Sequence, residues 1–92
     1  MKLAWDETKR IRTLAERGLD FADADLVFAG PTFEFLDARQ DYGEERTICV
    51  GFLRGRMIVL VHVQHGATRR IVSMRKANDR EQRTYQTRLA GP

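Results

Sequence analysis

The chain has 92 residues, enough for one domain spanning 1–92 with a modest core and no second one. Charged residues make up 32% of it, yet long apolar runs are present, which describes a folded soluble protein and excludes a disordered tail. No run approaches a membrane span and no signal-peptide core precedes the first charges, so the expected location is the cytoplasm.

The net charge of +3 hides a division. Up to Glu45, six basic residues stand against eleven acidic ones; from Arg46 onward ten stand against two, and all but Lys76 are arginine. Guanidinium groups match two phosphate oxygens at once, so nucleic acid is the leading partner class if these arginines share a face. The lone Cys49 excludes an internal disulfide and reads as a small core residue.

In chain order, Trp5 packs just before a first helix, which Asp6 caps. Ile11, Leu14 and Ala15 recur at helical spacing from Glu7 to Arg17, and Gly18 closes it. A second helix starts at Asp20 with the apolar stripe Phe21, Ala24, Val27 and Phe28, and Gly30-Pro31 ends it. Thr32 to Leu36 alternates as a strand, and Asp37 to Glu45 is a polar, acidic loop. Then come three runs rich in Val, Ile and Thr, near Arg46–Leu53, Arg56–Gln64 and Arg69–Arg75, separated by segments with Gly. They predict an antiparallel meander whose middle strand is covered on both sides. Asn78 and Glu81 form a capping box for a last helix, from about Asp79 to Leu89, with Tyr85 and Leu89 as its apolar contact.

A two-residue loop at Arg54-Gly55 sets Val50 opposite Val59 and Thr47 opposite His62. Continuing the apolar face through Val72 and Met74 sends Ile71, Ser73 and Arg75 to the face of His62. The expected fold class is α+β: two N-terminal helices packed on a small, mainly antiparallel four-stranded sheet, with a C-terminal helix.

The stretches W-D-E-T-K (Trp5 to Lys9), R-G-L-D-F-A-D-A (Arg17 to Ala24), Y-G-E-E-R (Tyr42 to Arg46), G-F at Gly51 and R-I-V-S-M-R-K-A (Arg70 to Ala77), followed by Glu81 and Tyr85, resemble the BrnT family of type II toxins. The resemblance runs over nearly the whole chain. It implies a RelE-like fold and a ribonuclease that arrests translation by cutting RNA. It also implies a BrnA-type antitoxin with a ribbon-helix-helix part, through which alone the complex would reach operator DNA. Arg17 stands where the family usually has His, and Gln64 and His65 where it often has Glu and Arg. The alternative is therefore a catalytically weakened relative that binds the antitoxin and co-represses. A third reading is a binder of a protein target.

Cutting RNA without a metal requires a base for the 2′-hydroxyl, an acid for the 5′-oxygen and cations around phosphorus. His62 and His65, the only histidines, lie in or beside one hairpin, so neither a metal site nor another cofactor is expected. His62 is the acid or base candidate, the alternative being a strand histidine satisfied in the core. Arg70 and Arg75 are the candidate phosphate clamp, or partners of Glu44 or Glu45. Lys9, Arg17 and Lys76 are candidate RNA-binding cations, and Tyr85 either stacks on a base or anchors its helix.

Overall fold

The computed structural model describes residues 1–90. In chain order it contains β1 (Lys2–Trp5), α1 (Glu7–Arg17), a 3-10 turn (Phe21–Asp23) running into α2 (Ala24–Ala29), β2 (Phe33–Leu36), β3 (Thr47–Leu53), β4 (Arg56–His65), β5 (Thr68–Lys76) and α3 (Asp79–Ala90). The strands make one mixed sheet in the order β1-β5-β4-β3-β2, antiparallel except for β1, which runs parallel to β5.

This corrects the expected four-stranded sheet under two helices. The fifth strand is Lys2–Trp5, so Trp5 ends a strand that pairs with Ile71. A parallel edge strand of four residues has no hairpin turn beside it, and hence no local signal. The second correction concerns α1, which buries none of its residues. Its stripe residues Ile11 and Leu14 are 56% and 41% exposed. Asp6 caps the helix by accepting from the Lys9 amide, and Gly18 ends it at φ 68°. Polar contacts dock it: Arg10 Nη1 lies 3.3 Å from the Asp20 carboxylate, and Arg17 donates to the carbonyl of Met74 at 2.9 Å.

β3 and β4 pair as the two-residue turn predicts, with Val50 opposite Val59 and Thr47 opposite His62. Arg54 and Gly55 both have positive φ, 49° and 80°, the backbone sense that matches the twist of a tight hairpin. Between β4 and β5 the register slips by one residue. Val61 faces Ser73, but His62 faces Ile71, leaving Val72 as an extra residue in β5. The expected alternation therefore fails beyond Val72. Met74 pairs with Leu60, while Ser73 and Arg75 pair with Val61 and Val59.

The sheet consequently has two different faces. On one, Cys49, Leu60, Ile71 and Met74 pack against Leu19, just before the turn, and Phe21, Ala24 and Val27 from the turn and α2. On the other, Val50, Met57 and Val59 pack under Ala77 and Leu89 at α3, with Phe33, Phe35 and Tyr85 at the margin. Val61, Val63 and Val72 form a smaller group. The capping box holds α3, since the Glu81 amide donates to Asn78 at 2.8 Å and the Asn78 amide to Glu81 at 3.0 Å. Among the described residues no helix is long and apolar enough to cross a membrane.

Gly51 lets α2 close on the sheet. A Cβ there would sit 2.8 Å from Val27 Cγ1 and 3.2 Å from Thr32 Cγ2. Gly51→Ala should destabilise the fold by about 1 to 3 kcal/mol, because two packed elements must separate. Arg56→Ala, at an exposed position, should cost about 0.5 kcal/mol or less. Urea unfolding of both variants checks this, and equal losses would refute the close approach.

Candidate functional site

Once the bulge turns Ser73 and Arg75 away from α2, they look into a depression on the α3 side of the sheet. A cleft of about 350 Å³ lies between α1, the loop after β2, and β4 and β5. Lys9, Arg12, Thr13, Glu16, Arg17, Asp37, Arg39, Arg46, Val61, Val72 and Ser73 line it. A second hollow of about 200 Å³ shares Arg39, Val61 and Ser73 and adds Phe35, Ile48, Val59, Arg75, Glu81 and Tyr85. The shared residues make the two hollows neighbours along one surface.

Among the described residues, six cations and three carboxylates border this surface. Glu81 takes two hydrogen bonds from Arg75, at 2.7 and 2.8 Å, which pull its carboxyl from an ordinary 4.5 down to about 2. The same bonds raise the Arg75 guanidinium, so it stays charged throughout. Asp37 has a side chain only 1% exposed and accepts from Arg39 Nε at 2.8 Å and Nη2 at 2.7 Å, from the Arg39 amide at 3.2 Å and from the Tyr42 hydroxyl at 3.1 Å. Hydrogen bonds from the Arg39 side chain outweigh burial and hold this carboxyl far below the usual range. The Arg46 guanidinium lies over the Tyr42 ring, 4.0 Å from its centroid. Lys9, Arg12 and Glu16 make no ion pair among the described residues.

Of the residues singled out from sequence, Lys9, Arg17, Arg75 and Tyr85 border this surface. His62 does not. It lies on the opposite face from Arg75, 3% exposed, with the Phe28 ring edge-on at 5.3 Å and Nε2 3.6 Å from Glu34 Oε1. Neither ring nitrogen has a hydrogen-bond partner. Burial lowers its pKa; Glu34 opposes the shift and Arg69 adds to it. Burial likewise pushes the Cys49 thiol on the same face up to about 12, which makes it an inert core residue. Arg70 pairs with Glu44 at 2.7 Å, and the exposed Lys76 lines neither hollow.

Sequence reasoning missed Arg12, Glu16, Asp37, Arg39, Arg46 and Ser73. Arg46 lay within a quoted motif, and the D-x-R spacing of Asp37 and Arg39 at a strand end was a usable signal for a local clamp. Ser73 depends on the bulge and had none. Among the described residues no three His, Cys, Asp or Glu side chains are grouped to hold a metal ion.

The buried His62 gives a pH signature. A histidine whose folded pKa is lowered binds its proton more readily in the unfolded chain. Stability is therefore fully present above about 6.5 and falls as pH drops from there toward the lower folded value. One proton limits the slope to about 1.4 kcal/mol per pH unit. His62→Leu should flatten it in urea unfolding between about pH 5 and 7.5. An unchanged slope would assign the effect to other groups.

The model of a family described as the ribonuclease toxin, BrnT, of type II toxin-antitoxin systems matches residues 5–81. No curated protein matches the sequence. The matched stretch includes α1, the loop bearing Asp37 and Arg39, the bulged β5 and Glu81, and so most of the cleft border. The chain belongs to the BrnT family of ribonuclease toxins of type II toxin-antitoxin systems.

Proposed function

We propose that this chain is an endoribonuclease that cuts RNA without a metal in the cleft between α1 and α3, acting in the cytoplasm and arresting translation. The observation that supports this reading best is the gathering of six cations on one concave surface, where a bent phosphodiester backbone would meet them. Lys9, Arg12 and Arg17 supply phosphate contacts along α1. Arg75, kept in place by Glu81, stabilises the extra negative charge on the phosphoryl oxygens as the 2′-oxygen attacks phosphorus and the bond to the 5′-oxygen breaks. Glu16, the bordering carboxylate without a cationic partner, takes the 2′-hydroxyl proton. Tyr85, the one phenol bordering the surface among the described residues, returns a proton to the leaving 5′-oxygen, and the products are a 2′,3′-cyclic phosphate and a 5′-hydroxyl. Water then restores both side chains.

Family membership implies an antitoxin. In this reading it is a BrnA-type ribbon-helix-helix protein, and operator DNA is reached only through it. The second reading, a weakened toxin that serves as an antitoxin-binding co-repressor, draws on a specific observation. Among the described residues no histidine borders the cleft, and Arg17, where the family usually has His, places a guanidinium there that donates from Nη1 to the Met74 carbonyl. A guanidinium does not exchange protons near neutral pH.

Induction of the chain alone in a bacterium, with growth and RNA integrity recorded, separates the two. RNA cleavage with growth arrest is expected. Arg75→Ala should lower cleavage on the order of a hundredfold, since that cation acts mainly in the transition state. His62→Leu should leave the rate per folded molecule unchanged, and Arg17→His should raise it. Intact RNA and normal growth with the wild-type chain, together with retained antitoxin binding, would favour the co-repressor.

A further inference from the structure

Asp37 and Arg39 form an ion pair of unusual asymmetry. The Asp37 side chain is almost fully enclosed, 1% exposed, whereas the Arg39 side chain is 70% exposed. A surface pair leaves both partners in water and contributes little, and a buried pair hides both. Here a carboxylate is enclosed, at a desolvation cost met by four hydrogen bonds, and its partner faces outward. Two of those bonds take Nε and Nη2 of Arg39, and among the described residues Nη1 has no partner. Because a guanidinium is planar and rigid, fixing one edge fixes the direction of the other. Arg39 borders both hollows, between the α1 residues that line one and the Arg75 and Tyr85 that line the other.

We propose that Asp37 is a positioning residue, holding Arg39 so that the unused edge of its guanidinium contacts a backbone phosphate of an RNA strand lying across the junction of the two hollows. The proposal rests on the reading that this surface takes RNA. A cation already held in its bound orientation loses less conformational entropy when the phosphate arrives than a free side chain would. Tyr42 extends the arrangement, since its hydroxyl donates to Asp37 while its ring carries the Arg46 guanidinium. One enclosed carboxylate thereby sets two of the cations.

The test uses binding of a 2′-O-methyl RNA oligonucleotide, which presents the phosphates but lacks the attacking hydroxyl. The wild-type chain, Arg39→Ala, Asp37→Asn, the double variant and Arg39→Lys are compared, with melting temperatures taken alongside. Arg39→Ala should weaken binding about tenfold, the scale of one charge-assisted contact. Asp37→Asn should weaken it several-fold, and the double variant should be no worse than Arg39→Ala, because Asp37 acts only through Arg39. Arg39→Lys keeps the charge but not the two-pronged pairing, so it should bind nearly as poorly as Arg39→Ala. Wild-type affinity in Asp37→Asn or Arg39→Lys, or losses that multiply in the double variant, would overturn the proposal. So would a wild-type chain that does not bind the oligonucleotide. Arg39→Lys removes no buried group and keeps the test open if Asp37→Asn fails to fold. Cleavage of the unmodified strand is followed in parallel: binding without cutting would defeat the ribonuclease reading and leave the role of Asp37 intact.

Discussion

The extra residue Val72 in β5, set against the step from Val61 to His62, governs what each face of the sheet contains. Without it, strict alternation would turn Met74 toward α3 and Arg75 toward the Phe28 side, placing a guanidinium in the apolar layer. With it, Ile71 and Met74 both enter the core beneath α2, while Val72, Ser73 and Arg75 all border the opposite side. A bulge also bends its strand and increases the local twist. The position of the cleft beside this irregularity follows from the same cause.

The α1 wall of the cleft is held by polar contacts and not by burial, whereas the α3 wall combines polar contacts with the buried Leu89. α1 rests on Arg10 with Asp20 and on Arg17 with the Met74 carbonyl, and α3 begins at a capping box whose Glu81 also grips Arg75. Apart from the local capping box, each of these contacts joins a cation or a carboxylate to a specific atom of another segment. A helix docked in this way keeps its apolar stripe outside, which accounts for the exposure of Ile11 and Leu14 in a chain whose sheet is otherwise well covered. Such contacts fix position through direction, as area-dependent packing does not.

What could be read from the sequence was what is encoded locally. The ends of α1, the hairpin at Arg54-Gly55, the covered middle strand and the capping box at Asn78 each depend on residues within a few positions of one another. The parts that escaped depend on distant partners. β1 is a strand only because β5 offers it an edge, and the stripe on α1 has helical spacing whether it faces core or solvent. The slip at Val72 has no composition of its own in a run of apolar residues. His62 was placed correctly relative to Thr47, yet its supposed neighbour Arg75 lay beyond the slip and so on the other face. The cationic cleft was not legible in the charge division, because four of its six bordering cations among the described residues, Lys9, Arg12, Arg17 and Arg39, belong to the acidic half of the chain and only Arg46 and Arg75 to the basic half.

The parallel pairing of β1 with β5 joins Lys2 to Thr68 and Trp5 to Ile71. Closing so long a loop is slow compared with forming a hairpin, and it requires that β5 already exist. During synthesis the first strand cannot make this pairing until the fifth has left the ribosome, and Arg17 of α1 cannot reach its partner Met74 before then. The wall bearing Lys9, Arg12 and Arg17 settles against the sheet only when nearly the whole chain is available. The cleft accordingly needs a nearly complete chain, since Ser73, Arg75 and Tyr85 are part of its border.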